Sequence, residues 1–401
     1  MSNVQGGTNY AGAGSTSLAA LTPIIYEARD VVAREQIGLL TAATRDASEQ
    51  QAAVGQIVRS PVTQAAAAVD IAPSNVSPNT GGQTILYKDL TISKSKAVPL
   101  SWTGEEQRAV GVNYDTIVRN QFMQAFRQPG NLVETDCVTT MLAGGSRATG
   151  TAGTTPFNTA NDFSDFANAN LILDQNGTPI DNRHIILGFT AYANLVSKQS
   201  TLYKVNEAGT DELLRQGTLA KVLGLNFHKS AQIDANAHVK GTGTSYVSDG
   251  TGSVSGTSYV AGETAIKIKT GSGTVVAGDV VTFVGDANKY VVVAGVAAAG
   301  VITIAAPGLQ TTLADGVAMT IGNNYKGNIV MDPTALILAA RMPLMPAGGD
   351  AASDVMSVYD DISGLTYQIA EYRQYRQVHF ETGMAWGTLA NKPEFATILL
   401  G

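Results

Sequence analysis

Four histidines, one cysteine and the carboxylate pairs Glu105/Glu106 and Asp360/Asp361 are the residues on which this chain could build chemistry. The histidines, His184, His228, His238 and His379, are scattered and lack the close Cys, His or carboxylate spacing of a zinc site. Glu105/Glu106 and Asp360/Asp361 could form acid/base couples, since one carboxylate raises its neighbour's pKa. Adjacent side chains point in different directions on a helix or a strand, so a helix start and a turn account for the two pairs instead. The glycine clusters Gly250 to Gly256 and Gly271 to Gly278 miss the dinucleotide-loop spacing, and neither a P-loop nor a nucleophile elbow occurs. Tyr367, Tyr372, Tyr375 and Trp386, interleaved with Arg373 and Arg376, could stack bases. At alternate spacing in strands they fit cross-strand pairs and interface contacts better. No catalytic, cofactor or metal-binding residues are assigned.

Composition points the same way. The 26 basic and 33 acidic residues give a net charge of -7, with no basic stripe suited to sequence-specific DNA binding. Charged residues are 15 % of the chain, below the rough quarter of ordinary soluble domains. That deficit implies extensive surface covered by partners, because interface cores shed charge first. Cys137 has no partner for an internal disulfide and reads as a small buried hydrophobe on a helix. Met1 to Gly14 lacks the basic patch and apolar stretch of a secretory signal, so the chain is expected to stay where it is made. Tyr290 to Leu309 is uncharged and long enough for a membrane span, but its β-branched residues, Gly295, Gly300 and Pro307 fit two strands and a turn.

The elements behind these residues are read from periodicity. Met1 to Ser17 is a polar arm, and Leu18 to Gln51 is expected to be helical, with Thr22 as cap and Pro23 at the first helical position. Gly55 to Val62 and Ile85 to Ser101 read as strands bracketing a flexible tip, a protruding hairpin without a core of its own. Lys88, Lys94 and Lys96 share even positions with Leu86, Leu90 and Ile92, so the alternation is imperfect. Thr103, Glu105 and Glu106 open a helix, and Tyr114 to Leu142 is a longer one that Pro129 and Gly130 should kink or break. Gly144 to Thr155 is expected as a loop. Phe163 to Leu173, Ala191 to Lys198 and Asp211 to Gln216 are expected helices, with strands at Arg183 to Gly188 and Leu225 to Lys229.

Between Asp234 and Lys326 the pattern changes to short glycine-punctuated strands. Ala265 to Thr270, Asp279 to Val284, Tyr290 to Val296, Val301 to Ala305 and Ala318 to Ile321 suggest a small barrel or sandwich inserted into the host. The host resumes with a strand at Asn328 to Met331, expected to pair with Leu225 to Lys229, and a helix at Pro333 to Ala340 capped by Asp332. Strands follow at Met356 to Tyr359, Leu365 to Tyr375 and Val378 to Met384, and Phe395 to Leu400 closes the chain.

This order of parts resembles the major capsid proteins of tailed double-stranded DNA phages, with the α+β Hong Kong 97-type fold. The likeness within that family is to coat proteins of the Salmonella-phage type, which carry an inserted β-barrel. VVAGDVVTFVG (Val275 to Gly285) and GVITIAAPG (Gly300 to Gly308) resemble the inserted barrel, and LTPIIYEAR (Leu21 to Arg29) and Gln377 to Gly401 resemble the family's ends. The resemblance implies an N-terminal arm (1–51), an E-loop hairpin (52–101), a spine helix and P-domain (102–161), and an A-domain (162–233 and 327–360). The inserted barrel then occupies 234–326 and C-terminal P-domain strands 361–401.

It further implies hexamers and pentamers closing into an icosahedral shell, assembled in the host cytoplasm with scaffolding protein and a portal protein. A decoration protein and non-specific proximity to packaged double-stranded DNA are also implied, without a membrane and without cofactors. Candidate intersubunit contacts are Lys88, Lys94, Lys96, Tyr372, Arg373, Tyr375 and Arg376, and Pro129 and Gly130 mark the candidate spine-helix bend. Some members lose an N-terminal scaffolding segment or crosslink Lys to Asn; neither is expected here. Another virion component, a tail tube or decoration protein, is the alternative, and a glycan-binding or adhesion protein is a third reading.

Overall fold

A single helix of 31 residues organises the chain, and its burial pattern explains how. The computed structural model describes residues 36–62, 86–110, 114–198, 221–360 and 363–401. In chain order the first elements are helix α1 (Leu39–Ala42) and strands β1 (Thr44–Ala52), β2 (Ile57–Val62), β3 (Leu86–Thr91) and β4 (Lys94–Thr103). Helices α2 (Gly104–Val110) and α3 (Tyr114–Gly144), strand β5 (Arg147–Gly150), helix α4 (Ser164–Gln175), strand β6 (Arg183–Leu187) and helix α5 (Phe189–Lys198) follow. Then come β7 (Lys221–Val222), β8 (Leu225–Lys229) and α6 (Ala231–Ala235).

The insert supplies β9 (Val247–Ser248), β10 (Ser258–Tyr259), β11 (Ala265–Lys269), β12 (Val280–Phe283), β13 (Lys289–Ala294), β14 (Gly300–Ile304), β15 (Leu313–Ala314) and β16 (Met319–Ile321). The host closes with β17 (Gly327–Met331), β18 (Leu336–Pro343), β19 (Ala352–Asp360), β20 (Leu365–Gln374), β21 (Gln377–Ala390) and β22 (Ala396–Leu400). Helix and sheet are thus mixed in one host fold, as expected.

Val118, Phe122, Ala125, Phe126, Val133, Cys137, Val138 and Met141 recur at three- and four-residue steps on α3, and all are buried. That stripe lies on a sheet ordered β1-β18-β21-β20-β19, with β4 on the other edge of β21. Phe122 meets Phe380 edge-on at 5.6 Å and Phe126 meets Tyr367 at 5.4 Å. Each large apolar side chain buried this way stabilises by roughly 1.5–3 kcal/mol. Pro129 does not break the helix, which runs unbroken through Pro129 and Gly130 with both buried. Its ring leaves the preceding turn one hydrogen bond short.

The second sheet runs β7-β8-β6-β17-β22-β5 and continues into the insert as β13-β14-β11-β9. Alternation along its strands serves two cores. Ile185, Leu187, Val330 and Leu399 face α4 and α5, while Ile186, Ile329, Met331, Ile398 and Leu400 join the α3 core.

Several expectations need correction. The helix expected over Leu18 to Gln51 is, within the described residues, only Leu39–Ala42; Thr44–Ala52 is a strand lying parallel on β18. A free sheet edge there satisfies the backbone as well as a helix would. Pro333 to Ala340 is not a helix either. Asp332 does cap a turn, its Oδ1 accepting from Thr334 N–H at 3.0 Å, but that turn is a single 3₁₀ turn, Pro333–Ala335. Leu336 onward is strand, because β1 and β21 flank it on both sides and bury Leu336 and Leu338 to Arg341. The loop expected at Gly144 to Thr155 contains β5. The expected long strand Ile85 to Ser101 divides at Ile92–Ser93 into β3 and β4, which join different sheets. Leu225 to Lys229 does not pair with Asn328 to Met331; β6 lies between, parallel to β8 and antiparallel to β17. The helix expected at Asp211 to Gln216 and the cap at Thr22 lie outside the described residues.

Candidate interaction surface

Among the described residues the hairpin β2–β3 pairs only with itself, in six-residue register from Ile57↔Thr91 to Val62↔Leu86. Its two faces differ. Val58, Ser60, Lys88 and Leu90 turn toward the host, Leu90 being buried, while Ile57, Arg59, Pro61, Tyr87, Asp89 and Thr91 are all exposed. Arg59 Nε donates to Asp89 at 3.0 Å and its guanidinium lies 5.7 Å from the Tyr87 ring centre, so the exposed face is an apolar stripe set around one ion pair. An exposed pair of this kind contributes at most about 1 kcal/mol.

The root is fixed by backbone bonds, Gly55 N–H to Ile92 O at 2.8 Å and Ile92 N–H to Gln56 O at 2.9 Å, and by Ile92 packing with Ala52 and Ala385. Gly387 is required there, since a Cβ would come within 2.2 Å of Thr91 O.

The three arm lysines take three different positions. Lys88 Nζ donates to Asn391 O, and burial lowers its pKa, with Glu394 opposing. Lys94 pairs with Asp136 on α3 at 2.6 Å, and Asp136 also accepts from Trp386 Nε1 at 2.7 Å. Lys96 is exposed on β4 opposite Met384. Lys88 and Lys94 therefore dock the arm and its return strand onto the rest of their own chain.

The aromatic and arginine residues of β20 and β21 separate by depth. Tyr367 and Trp386 are core residues. Tyr372 is half-buried; its hydroxyl donates to Asp350 at 2.7 Å, and burial together with that carboxylate raises its pKa to about 12. Arg373 is held by Glu371 at 3.0 Å. Tyr375 and Arg376 form the two-residue turn closed by Gln374↔Gln377, Tyr375 being 90 % exposed and Arg376 adopting φ 59°. Glu106 caps α2 reciprocally with Thr103, at 2.8 and 3.2 Å, which accounts for that acidic pair without catalysis. Burial of the Asp360 side chain goes with its bonds from Ser363; Asp361 lies outside the described residues.

Two junctions, one buried and one part-buried, escaped the sequence reading. Glu134 on α3, fully buried, accepts from the N–H groups of Gly38, Leu39 and Leu40 at 3.0, 2.9 and 2.7 Å and from Ser230 Oγ at 2.7 Å. Burial pushes its carboxyl above the usual range, while those four donors pull the other way. The histidines are not all scattered in space: His184 Nδ1 and His228 Nε2 lie 2.8 Å apart on neighbouring strands β6 and β8. Thr41 Oγ1 is 3.3 Å from His228, and Asn182 3.0 Å from His184. Strand pairing brings together residues 44 positions apart, which linear spacing cannot reveal. Among the described residues no group of three His, Cys, Asp or Glu side chains is placed to hold a metal, and no helix is long and apolar enough to cross a membrane.

The insert is clamped where the sequence pattern changes. Lys326 Nζ meets Asp234 at 2.8 Å, and Asp234 also accepts from Phe189 N–H at 2.6 Å, capping α5. His238 and Tyr325 exchange backbone bonds at 2.8 and 3.2 Å beside that clamp. The insert has its own core, including Tyr246, Tyr259, Ile268, Phe283 and Ile302. It also shares a sheet and a core with the host: β13 pairs with host β5 at Tyr290↔Arg147 and Lys289↔Ala148, and Val280 and Val291 enter the α3 core.

Neither a protein-family model nor a curated protein matches the sequence. Among solved structures the chain is similar to the capsid structure of the cyanophage P-SCSP1u, at 12% identity and TM-score 0.49, over 92% of this chain and 90% of that one. It is also similar to the mature capsid of bacteriophage PhiM1, at 9% identity and TM-score 0.44, over 90% and 85%. A virus-like particle from Pyrococcus furiosus resembles it at 10% identity and TM-score 0.43, over 95% and 98%.

Proposed function

We propose that this chain is the major capsid protein of a tailed phage, assembling as hexamers and pentamers into the icosahedral shell around packaged double-stranded DNA. The observation that carries the reading is the hairpin arm. A two-stranded ribbon is marginal alone, and one whose outer face presents Ile57, Pro61 and Tyr87 to solvent needs a second surface to lie on. A neighbouring subunit supplies it in a closed assembly, where every copy both offers and receives an arm. The low charge fraction accords with a building unit.

Scaffolding, portal and decoration proteins are the further partners of this reading, assembly takes place in the host cytoplasm, and the acidic balance suits a wall that must not hold DNA tightly. Negative-stain microscopy of the chain expressed with a candidate scaffolding protein tests it. Closed shells of uniform diameter are expected; only monomers or stacked rings would overturn the reading.

A further inference from the structure

Beyond β18 the chain folds back over the outer face of β20 and β21, leaving a cleft between Leu344 and Met345 on one side and Gln368, Tyr372 and Glu381 on the other, with Asp350 at its rim. Its polar lining is one-sided. Two carboxylates face it and neither lysine nor arginine lines it. Asp350 accepts from Tyr372 Oη at 2.7 Å and from Ala352 N–H at 2.8 Å, and Glu381 has no hydrogen-bond or ion-pair partner among the described residues. The second observation is Gln368. Only 6% exposed, it lines the cleft with an amide nitrogen that donates to nothing. A buried donor left unpaired costs about 1–3 kcal/mol, which an occupant offering a carbonyl would recover. The cleft therefore suits a segment that brings a cation, a backbone acceptor and apolar surface for Leu344, which is 59% exposed.

We infer that this cleft receives the β20–β21 hairpin tip of a second copy of the chain, Arg376 meeting Glu381 and Asp350, a tip carbonyl accepting from Gln368, and Tyr375 covering Leu344. The inference rests on the self-assembly proposed above. The tip has the matching chemistry. Tyr375 is 90% exposed, the Arg376 guanidinium has no partner among the described residues, and Tyr and Arg dominate interface energetics. Arg373 is already committed to Glu371. A tip cannot fill its own cleft: Tyr372 is the cleft residue nearest the turn, and Tyr375 lies three residues, roughly 10 Å, further along a rigid hairpin closed by Gln374↔Gln377.

Charge reversal tests the pairing. Arg376→Glu and Glu381→Arg should each lower association in the full chain at least about tenfold, and the double variant should restore it to within about threefold of the parent. Circular dichroism and thermal melting of each variant establish that it is folded. A disulfide trap gives a readout independent of shells. Full chains carrying Arg376→Cys, mixed with chains carrying Glu381→Cys and oxidised, should form covalent dimers that neither variant forms alone. Absence of that heterodimer, or a double variant no better than the worse single, overturns the docking. Shells without the crosslink would remove this inference and leave the capsid reading standing; the crosslink without shells would do the reverse.

Discussion

Single residues decide how the N-terminal segment is held to the rest of the molecule. Glu134 gathers three backbone donors from Gly38 to Leu40 and the Ser230 hydroxyl, tying α1, α3 and α6 at one carboxylate. Beside it the pair His184 and His228 faces Thr41. Burial and the neighbouring His184 lower the pKa of His228 to about 4, and burial lowers His184 too, with Asp332 opposing. In the unfolded chain both take up protons below an ordinary value of about 6.5, whereas folded His228 resists until about pH 4 and His184 is shifted in the same direction. Between those limits the unfolded state binds more protons, so this contribution is fully present above about pH 6.5 and is lost as pH falls toward 4. The urea midpoint of the parent should drop between about pH 7 and about pH 4.5 more than that of His228→Gln. Parallel declines would show that the pair does not govern acid sensitivity. None of this was legible in the sequence, because Glu134 lies 94 to 96 positions from its partners. Spacing along a chain reports local chemistry only.

At the level of elements, what could be read was what the local pattern determines. The stripe on α3, the Thr103/Glu106 cap and the alternating strands of the insert all lie within a few residues of their own signals. Errors came where a sheet edge outbid local preference. Asp332, Pro333 and the apolar run after them carry a helix-start signal, yet β1 and β21 on either side draw Leu336–Pro343 into strand. The puzzling lysines of the arm resolve in the same way: Lys88 shares a face with Leu90 because that face is the one the host covers at the root. The opposite face is left open, and its consequence is measurable. Ile57→Ser and Tyr87→Ser, at positions 52% and 57% exposed, should change the monomer's unfolding free energy by less than about 0.5 kcal/mol each. The double variant Ile57→Ser/Tyr87→Ser should fail to assemble under conditions where the parent forms shells, as read by sedimentation velocity. Normal assembly, or a large loss of monomer stability, would mean that the arm does not dock through this face.

For the whole molecule the question is whether the insert is a passenger or a structural member. The change of pattern falls at Asp234 and Lys326, two residues that pair with each other at 2.8 Å. What the sequence concealed was the second set of contacts. Alternation on β12 and β13 sends Val281, Tyr290 and Val292 into the insert's core but Val280 and Val291 into the host's. β5, hidden in a stretch read as loop, completes the continuous sheet. One strand pair and two valines thus make the insert part of the wall behind α3. Replacing Val280 and Val291 by Thr buries a hydroxyl in an apolar contact in the full chain, costing about 1–3 kcal/mol per site. In the isolated insert, residues 236–325, the same face is open to water and the cost should stay below about 0.5 kcal/mol. Urea unfolding of both, with and without the substitutions, separates the cases. A large loss confined to the full chain means that the host draws stability from the insert; equal losses in both would place the two valines in the insert's own core and return it to the status of an independent domain.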